Sequence, residues 1–173
     1  MRKLTIREEQ PADIPAIHAL TRAAFAKARH ADGNEQDIVD ALRADGDLTL
    51  SLVATNMDEA IIGHIAFSPI EISDGTGGWY AAGPISVMPT RQRTGIGSQL
   101  AEESIDRMRA MGAQGIVLLG DPGYYERFGF RCDADLTLPG FPPEYFQVRV
   151  LGEGPCPKGE VTYAPAFRET PRT

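Results

Sequence analysis

The sequence predicts an α/β protein, and three features carry that prediction. A short apolar strand around Ile85 and Val87 runs into a glycine-bearing loop, Gln92-Arg93-Thr94-Gly95-Ile96-Gly97, which opens directly into an amphipathic helix. Strand-like and helix-like stretches interleave in the order β-α-α-β-β-β-α-β-α-β-β rather than segregating into blocks. The 173 residues are 42% hydrophobic and 24% charged, enough to bury a core, and read as one domain over 1–173.

The elements follow in order from periodicity and punctuation. Leu4-Thr5-Ile6-Arg7 alternates as a first strand. Ala12 and Asp13 before Pro15 open a helix that keeps Ile14, Ile17, Thr21, Ala24 and Phe25 at helical spacing. A polar turn from Ala31 to Asn34 precedes a second helix from Glu35, with Ile38, Val39 and Leu42 on one side and Gly46 past its end. Leu48 to Thr55 and Ala60 to Phe67 read as strands joined by a turn at Asn56-Met57-Asp58-Glu59, the second extending past Pro69 toward Ile72. Trp79 to Met88 is the central strand. The helix after it sets Ile96, Leu100, Ala101, Ser104, Ile105, Met108 and Met111 along one side and stops at Gly112. Gly115 to Leu119 is a buried strand, and Asp121 caps a short helix with Pro122 at its first position. Arg131 to Glu144 is irregular and holds Pro139, Pro142 and Pro143. Tyr145 to Leu151 and Val161 to Phe167 alternate like a closing antiparallel pair.

Composition narrows the function. A net charge of −7 argues against a nucleic acid or an anionic membrane as partner. Against that background the cluster Arg91, Arg93 and Arg127 is informative. Cys132 and Cys156 have no metal-site spacing and read as free thiols of a reducing compartment. Arg2 and Lys3 precede only Leu4 and Ile6 before charge resumes, too short an apolar run for a signal segment, so a cytoplasmic location is expected.

The glycine-bearing loop reads as an anion cradle, although such a turn can also merely cap a helix. Glycines at 95 and 97 permit a sharp turn, the first N–H groups of the helix lack partners within it, and its dipole adds positive character there. A phosphate fits such a site. A dinucleotide fingerprint would want a third glycine, where Leu100 stands, and an acid about 20 positions on, where Gln114 and Gly115 stand.

The string Val87-x-Pro89-x-x-Gln92-x-x-Gly95-x-Gly97 resembles the acyl-CoA-binding motif of the GNAT superfamily of N-acetyltransferases. Gly120-Asp121-Pro122-Gly123-Tyr124-Tyr125-Glu126-Arg127-Phe128-Gly129-Phe130 resembles the segment that closes the same site in its YhbS-like branch. The likeness spans nearly the whole chain and departs from the common pattern at Arg91 and Arg93. It implies a central mixed sheet flanked by helices on both faces, with a bulged central strand that splays from its neighbour at Gly83-Pro84. It implies acetyl-CoA as cosubstrate, no metal, and transfer of an acetyl group to a primary amine of a small molecule or peptide. A homodimer stays open.

By the same resemblance the backbone of Ile85 polarises the thioester carbonyl and Val87 holds pantetheine. Gln92, Arg93, Thr94, Gly95, Ile96, Gly97 and Ser98 form the pyrophosphate loop, and Tyr125 lies at the position of the general acid. A phenol with an ordinary pKa near 10 stays protonated and can supply a proton to a leaving thiolate. Tyr124 is the other phenol in reach, and a packing role for Tyr125 stays open. For the base the chain offers His64, Glu71 or water; His18 and His30 read as surface residues. Asp121 reads as a cap. Phe25, Glu35, Phe141, Tyr145 and Phe146 are candidate walls of the acceptor pocket. A CoA-binding module without turnover is the alternative class.

Overall fold

A computed structural model of the chain describes residues 4–28 and 31–172, so Arg2, Lys3 and His30 lie outside the described residues. A six-stranded sheet organises the fold. Its strands are β1 (Thr5–Glu8), β2 (Leu50–Thr55), β3 (Ile61–Pro69), β5 (Trp79–Val87), β6 (Gly115–Leu119) and β8 (Phe146–Val150), in that spatial order. All neighbours are antiparallel except β5 and β6, which are parallel and joined by helix α3 (Ile96–Ala110). A second sheet orders β4 (Glu71–Ile72), β9 (Gly159–Thr162) and β7 (Leu136–Thr137).

Alternation along β3 shows which helix covers which face. Gly63 lies under α3, where a Cβ would come within 2.9 Å of both Ile96 Cγ2 and Leu100 Cδ1. Ile65, Phe67 and the β2 residues Leu50, Leu52 and Ala54 join the same cluster with Leu100, Ile105 and Met108. The intervening residue His64 therefore faces the other way. On that side Val53 packs with Ile17 of α1 (Ile14–Phe25) and Val39 of α2 (Glu35–Ala44). Farther along the sheet the same side is covered by the small sheet, through Trp79, Val117 and Val148 against Ile72, Leu136 and Val161. The mixed sheet with helices on both faces is the expected architecture.

Two expectations are corrected. Tyr145–Leu151 and Val161–Phe167 do not pair: β8 lies beside β6, while β9 joins β4 and β7. Pro165, without an N–H and with fixed φ, suits the first turn of a helix, and Pro165–Glu169 forms α5 instead of continuing a strand. The stretch 131–144 is also less irregular than its prolines imply. Buried Leu136 anchors β7, and the Cys132 thiol points to the carbonyls of Pro143 and Glu144, each at 3.5 Å. Among the described residues no helix is long and apolar enough to cross a membrane.

Candidate active site

The cleft begins where two strands stop pairing. Parallel β5 and β6 are matched only from Trp79–Gly115 to Ala81–Val117, although β5 runs on to Val87 and β6 to Leu119. The close start of this pairing depends on Gly115, whose missing Cβ leaves room for the Trp79 ring. Beyond it the register of β5 against β3 shifts between Ile65 and Phe67, so that Gly83 and Pro84 bulge. A strand that leaves its parallel neighbour exposes one row of backbone groups.

The ladder identifies that row. The Met88 N–H donates to the Ile62 carbonyl at 2.9 Å, flanking the Gly63–Val87 pair. Val87 and Ile85 are thereby the positions of β5 whose backbone groups do not bond β3, while His64 and Ser86 exchange the ladder bonds. The Ile85 and Val87 N–H groups turn to the open edge. The Gln92 side chain donates to the Val87 carbonyl at 3.2 Å and pins the loop to the strand end.

The loop itself has the expected turn. Arg93 takes φ of 64° and Gly95 φ of 89°, both left-handed, and α3 starts at Ile96. Arg93 thus adopts, at some cost, a conformation glycine would take freely. The Thr94 hydroxyl donates to the Arg91 carbonyl. The first intrahelical bond runs from the Gln99 N–H to the Gly95 carbonyl at 3.1 Å. The N–H groups of Ile96, Gly97 and Ser98 precede it and make no bond within the helix. A Cβ on Gly97 would sit 3.5 Å from the Tyr124 hydroxyl and 3.8 Å from Val87 Cγ2. Loop, strand end and closing segment meet at that residue.

Helix α4 (Pro122–Tyr125) brings the two tyrosines into different roles. Asp121 caps it, accepting from the Gly123 N–H at 2.9 Å. The Tyr124 hydroxyl is 3.0 Å from Ser98 Oγ in the first turn of α3, and the Arg127 guanidinium lies 4.7 Å above the Tyr124 ring. The Tyr125 ring packs edge-on to Tyr124 and Phe130 and lies over Gly120, just past β6, where a side chain would collide with it. Burial, with a smaller contribution from Tyr124, pushes the Tyr125 phenol up to about 12. Its hydroxyl has no hydrogen-bond partner among the described residues. Tyr124 is committed to α3; Tyr125 is uncommitted.

The remaining candidates separate clearly. Glu71 is exposed and belongs to the second sheet. His18 is half-exposed, its Nδ1 2.7 Å from Asp40 Oδ2. With Asp37 these two form a trio of possible ligand atoms within 4.8 Å, but Asp40 is also paired with Arg43. The buried Glu35 carboxylate accepts the Gly33 N–H at 3.2 Å. Phe146 is core, packed with Trp79 and Leu136, and is no pocket wall. Phe141 and Tyr145 are exposed, at 49% and 44%.

His64 is fully buried, and sequence reasoning missed what surrounds it. Its Nε2 is 2.7 Å from Ser51 Oγ, which in turn hydrogen-bonds Glu9. Arg43 holds both Glu9 oxygens at 2.9 Å and reaches Asp40 at 3.2 Å. Burial pushes Glu9 up, but the hydrogen bonds from Arg43 and Ser51 outweigh it and hold the carboxyl below its usual range. Burial drives His64 down to about 4; the Glu9 charge opposes this and Arg43 reinforces it. A polar residue at an inward position of β2 was the available signal for Ser51. For Glu9 and Arg43 there was none.

Known proteins resemble this chain in sequence and in fold. A family model described as an acetyltransferase (GNAT) domain matches residues 5–132. YhbS of Escherichia coli strain K12, named an uncharacterized N-acetyltransferase, is 38% identical over 135 residues, 78% of each chain. A crystal structure of a GNAT family acetyltransferase from Brucella melitensis in complex with acetyl-CoA is 45% identical. It superposes with a TM-score of 0.84 over 96% of this chain and 99% of that one. The crystal structure of Escherichia coli YhbS in complex with CoA is 35% identical, with a TM-score of 0.88 over 99% and 96% of the two chains. By family model, sequence identity and fold together, the chain belongs to the GNAT acetyltransferases.

Proposed function

We propose that the chain transfers an acetyl group from acetyl-CoA to a primary amine of a small molecule or peptide by direct attack on the thioester. One observation carries this reading. The open edge of β5, with the Ile85 and Val87 N–H groups turned outward, lies across the splay from β6, where the Tyr125 ring packs. Acetyl-CoA supplies an activated acyl carbon whose carbonyl oxygen gains charge on attack. Ile85 would meet that oxygen with a fixed backbone donor, which needs no reorganisation and survives side-chain mutation. Val87 would bind the peptide-like arm as a strand edge binds a peptide. The free N–H groups of Ile96, Gly97 and Ser98, with the turn of Arg93, Thr94 and Gly95, suit a pyrophosphate, and Gln92 holds that turn in place. The acetyl-CoA and CoA complexes of the two solved relatives support the same ligand here.

Tyr125 would donate the proton to the departing thiolate. Its high pKa keeps it protonated at neutral pH, and its hydroxyl has no competing partner. The test is thiol release from acetyl-CoA with a panel of primary amines, products read by mass spectrometry, on wild type and Tyr125→Phe. Turnover by wild type is expected, and a kcat about 10²–10⁴ lower for the Phe variant at similar CoA affinity. Thermal protection by CoA with no amine-dependent release would mark a binding module instead. A Phe variant with wild-type kcat would remove Tyr125 from the chemistry.

A further inference from the structure

Beneath α1 and α2 a line of polar side chains crosses the sheet. It starts in a groove of about 350 Å³ lined by Glu8, Glu9, Arg43 and Ser51, and ends at His64. Its proton positions follow from bonding capacity alone. A carboxylate only accepts, so the single hydroxyl proton of Ser51 goes to Glu9. Ser51 Oγ must then accept from His64, which makes His64 the Nε2–H tautomer and leaves Nδ1 a bare lone pair. That Nδ1 is buried and has no hydrogen-bond partner among the described residues. Directly across the ladder is Ser86, 1% exposed, whose hydroxyl is also buried without a partner. An acceptor without a donor thus stands opposite a donor without an acceptor. A buried polar group left without a partner is costly, so the retention of both calls for an explanation. Ser86 sits between Ile85 and Val87, the two residues with outward-turned N–H groups.

We infer that Ser86 and His64 take up the proton of the acceptor amine, with Ser51, Glu9 and Arg43 holding His64 in the receptive tautomer. The inference rests on the acetyltransferase reading above and deepens it. As the amine nitrogen bonds to the thioester carbon, its N–H bond breaks and the proton passes to Ser86 Oγ. The Ser86 hydroxyl, which makes no hydrogen bond to His64 in the structure, turns toward the ring across the ladder and its proton passes to His64 Nδ1. His64 becomes an imidazolium that keeps its Nε2–H on Ser51, with the Glu9 charge at the end of the line. The C–S bond breaks and the thiolate takes its proton from Tyr125. After product leaves, the proton held at Nδ1 returns through Ser86 to solvent, and Tyr125 is reprotonated from solvent. His64 is a positioning and proton-holding residue; it does not touch the substrate.

Two charged groups face His64 and act in opposite senses: Glu9 favours a proton on the ring and Arg43 disfavours it. Glu9 follows β1 and Arg43 lies on α2; the buried face of α1 presents Ile17, Leu20 and Thr21, none of which titrates. Because α1 packs over β3 and β5 and leaves Ser86 1% exposed, the acceptor would reach the Ser86 hydroxyl only as α1 shifts from the end of β5. The low pKa leaves His64 neutral at working pH and makes any proton it takes easy to release.

The experiment combines kinetics with ¹⁵N NMR of the histidine rings on the full chain. For wild type the His64 ring should show a protonated Nε2 and a bare Nδ1 from pH 8 down to about 5; a protonated Nδ1 there overturns the inference independently of activity. Ser86→Ala and His64→Gln should each lower kcat with the best amine about 10²–10⁴-fold, leave the KM for acetyl-CoA unchanged, and reduce the solvent deuterium isotope effect. Ser51→Ala should mix the two His64 tautomers and lower kcat less. If His64→Gln does not fold, Ser86→Ala decides, since it removes one oxygen and no ring. Wild-type kcat in Ser86→Ala overturns the inference while leaving the acetyltransferase reading intact. Absence of turnover in wild type with every amine overturns both.

Discussion

The two faces of the main sheet are built by opposite means. Under α3 the contact is close and apolar: Gly63 lets the helix approach, and Leu100, Ile105 and Met108 fill the space against Leu52, Ile65 and Phe67. Under α1 and α2 the sheet presents Ser51, His64, Ser68 and Ser86, all buried, beside a much smaller apolar cluster. The first face holds a helix N-terminus rigidly against the end of β5. The second carries partnered and unpartnered polar groups at the level of the same strand end. Apolar packing is indifferent to pH, whereas a buried polar line that contains a histidine and a carboxylate responds to it. Each variant below acts on one face only.

The largest effect is expected from Leu100→Ala. Leu100 is fully buried at the centre of the α3 contact, and such truncations cost about 2–5 kcal/mol. Urea unfolding should show the loss, of equal size at pH 8 and pH 5. A loss that varied strongly with pH would mean that the two faces are not independent.

Acid should act on the other face. The folded value of His64, about 4, lies below its unfolded value of 6.5, so the unfolded chain binds a proton the folded chain refuses. The neutral ring's contribution is fully present above 6.5, is lost as pH falls from 6.5 to about 4, and levels off below. That window corresponds to roughly 3 kcal/mol. Glu9, held below its usual range, adds loss in the same direction at lower pH. Denaturant titrations at half-unit steps should show this slope, and His64→Gln should flatten it between 6.5 and 4. An unchanged slope in the variant would assign the acid sensitivity elsewhere.

Gly63→Ala should cost about 1–3 kcal/mol, because its Cβ would stand 2.9 Å from Ile96 and Leu100. Ile96 opens α3, so the displaced turn should also weaken CoA binding, seen by calorimetry. Loss of stability with unchanged CoA affinity would uncouple Gly63 from the loop. The smallest effect belongs to Asp40→Asn, which removes a half-exposed charge from Arg43 and His18 while Glu9 keeps both of its bonds to Arg43. Exposed pairs contribute about 0–1 kcal/mol, so unfolding should barely change. A cost comparable to the Gly63 variant would make the outer end of the polar line structurally essential.

Local chemistry settled a good part of this protein in advance. The period of Ile96, Leu100, Ile105 and Met108 specifies α3 and its buried side; Gly95 and Gly97 specify the turn before it, and Asp121 with Pro122 the start of α4. These are interactions between near neighbours in the chain, so the sequence alone expresses them. Pairing between distant segments is not expressed that way. Alternation marked Tyr145–Leu151 as a strand but could not say that its partner is β6, and Pro165 turned the next stretch into a helix. The commitment of Tyr124 to Ser98, 26 residues away, separates it from Tyr125 although the two are adjacent and alike. His64 stood in the sequence as a lone histidine. Only the stacking of β1, β2, β3 and α2 brings Glu9, Ser51 and Arg43 to one side of it, and only the β3–β5 ladder sets Ser86 on the other. Burial then decides its charge, since removal from water disfavours the protonated ring far more than any sequence neighbour can.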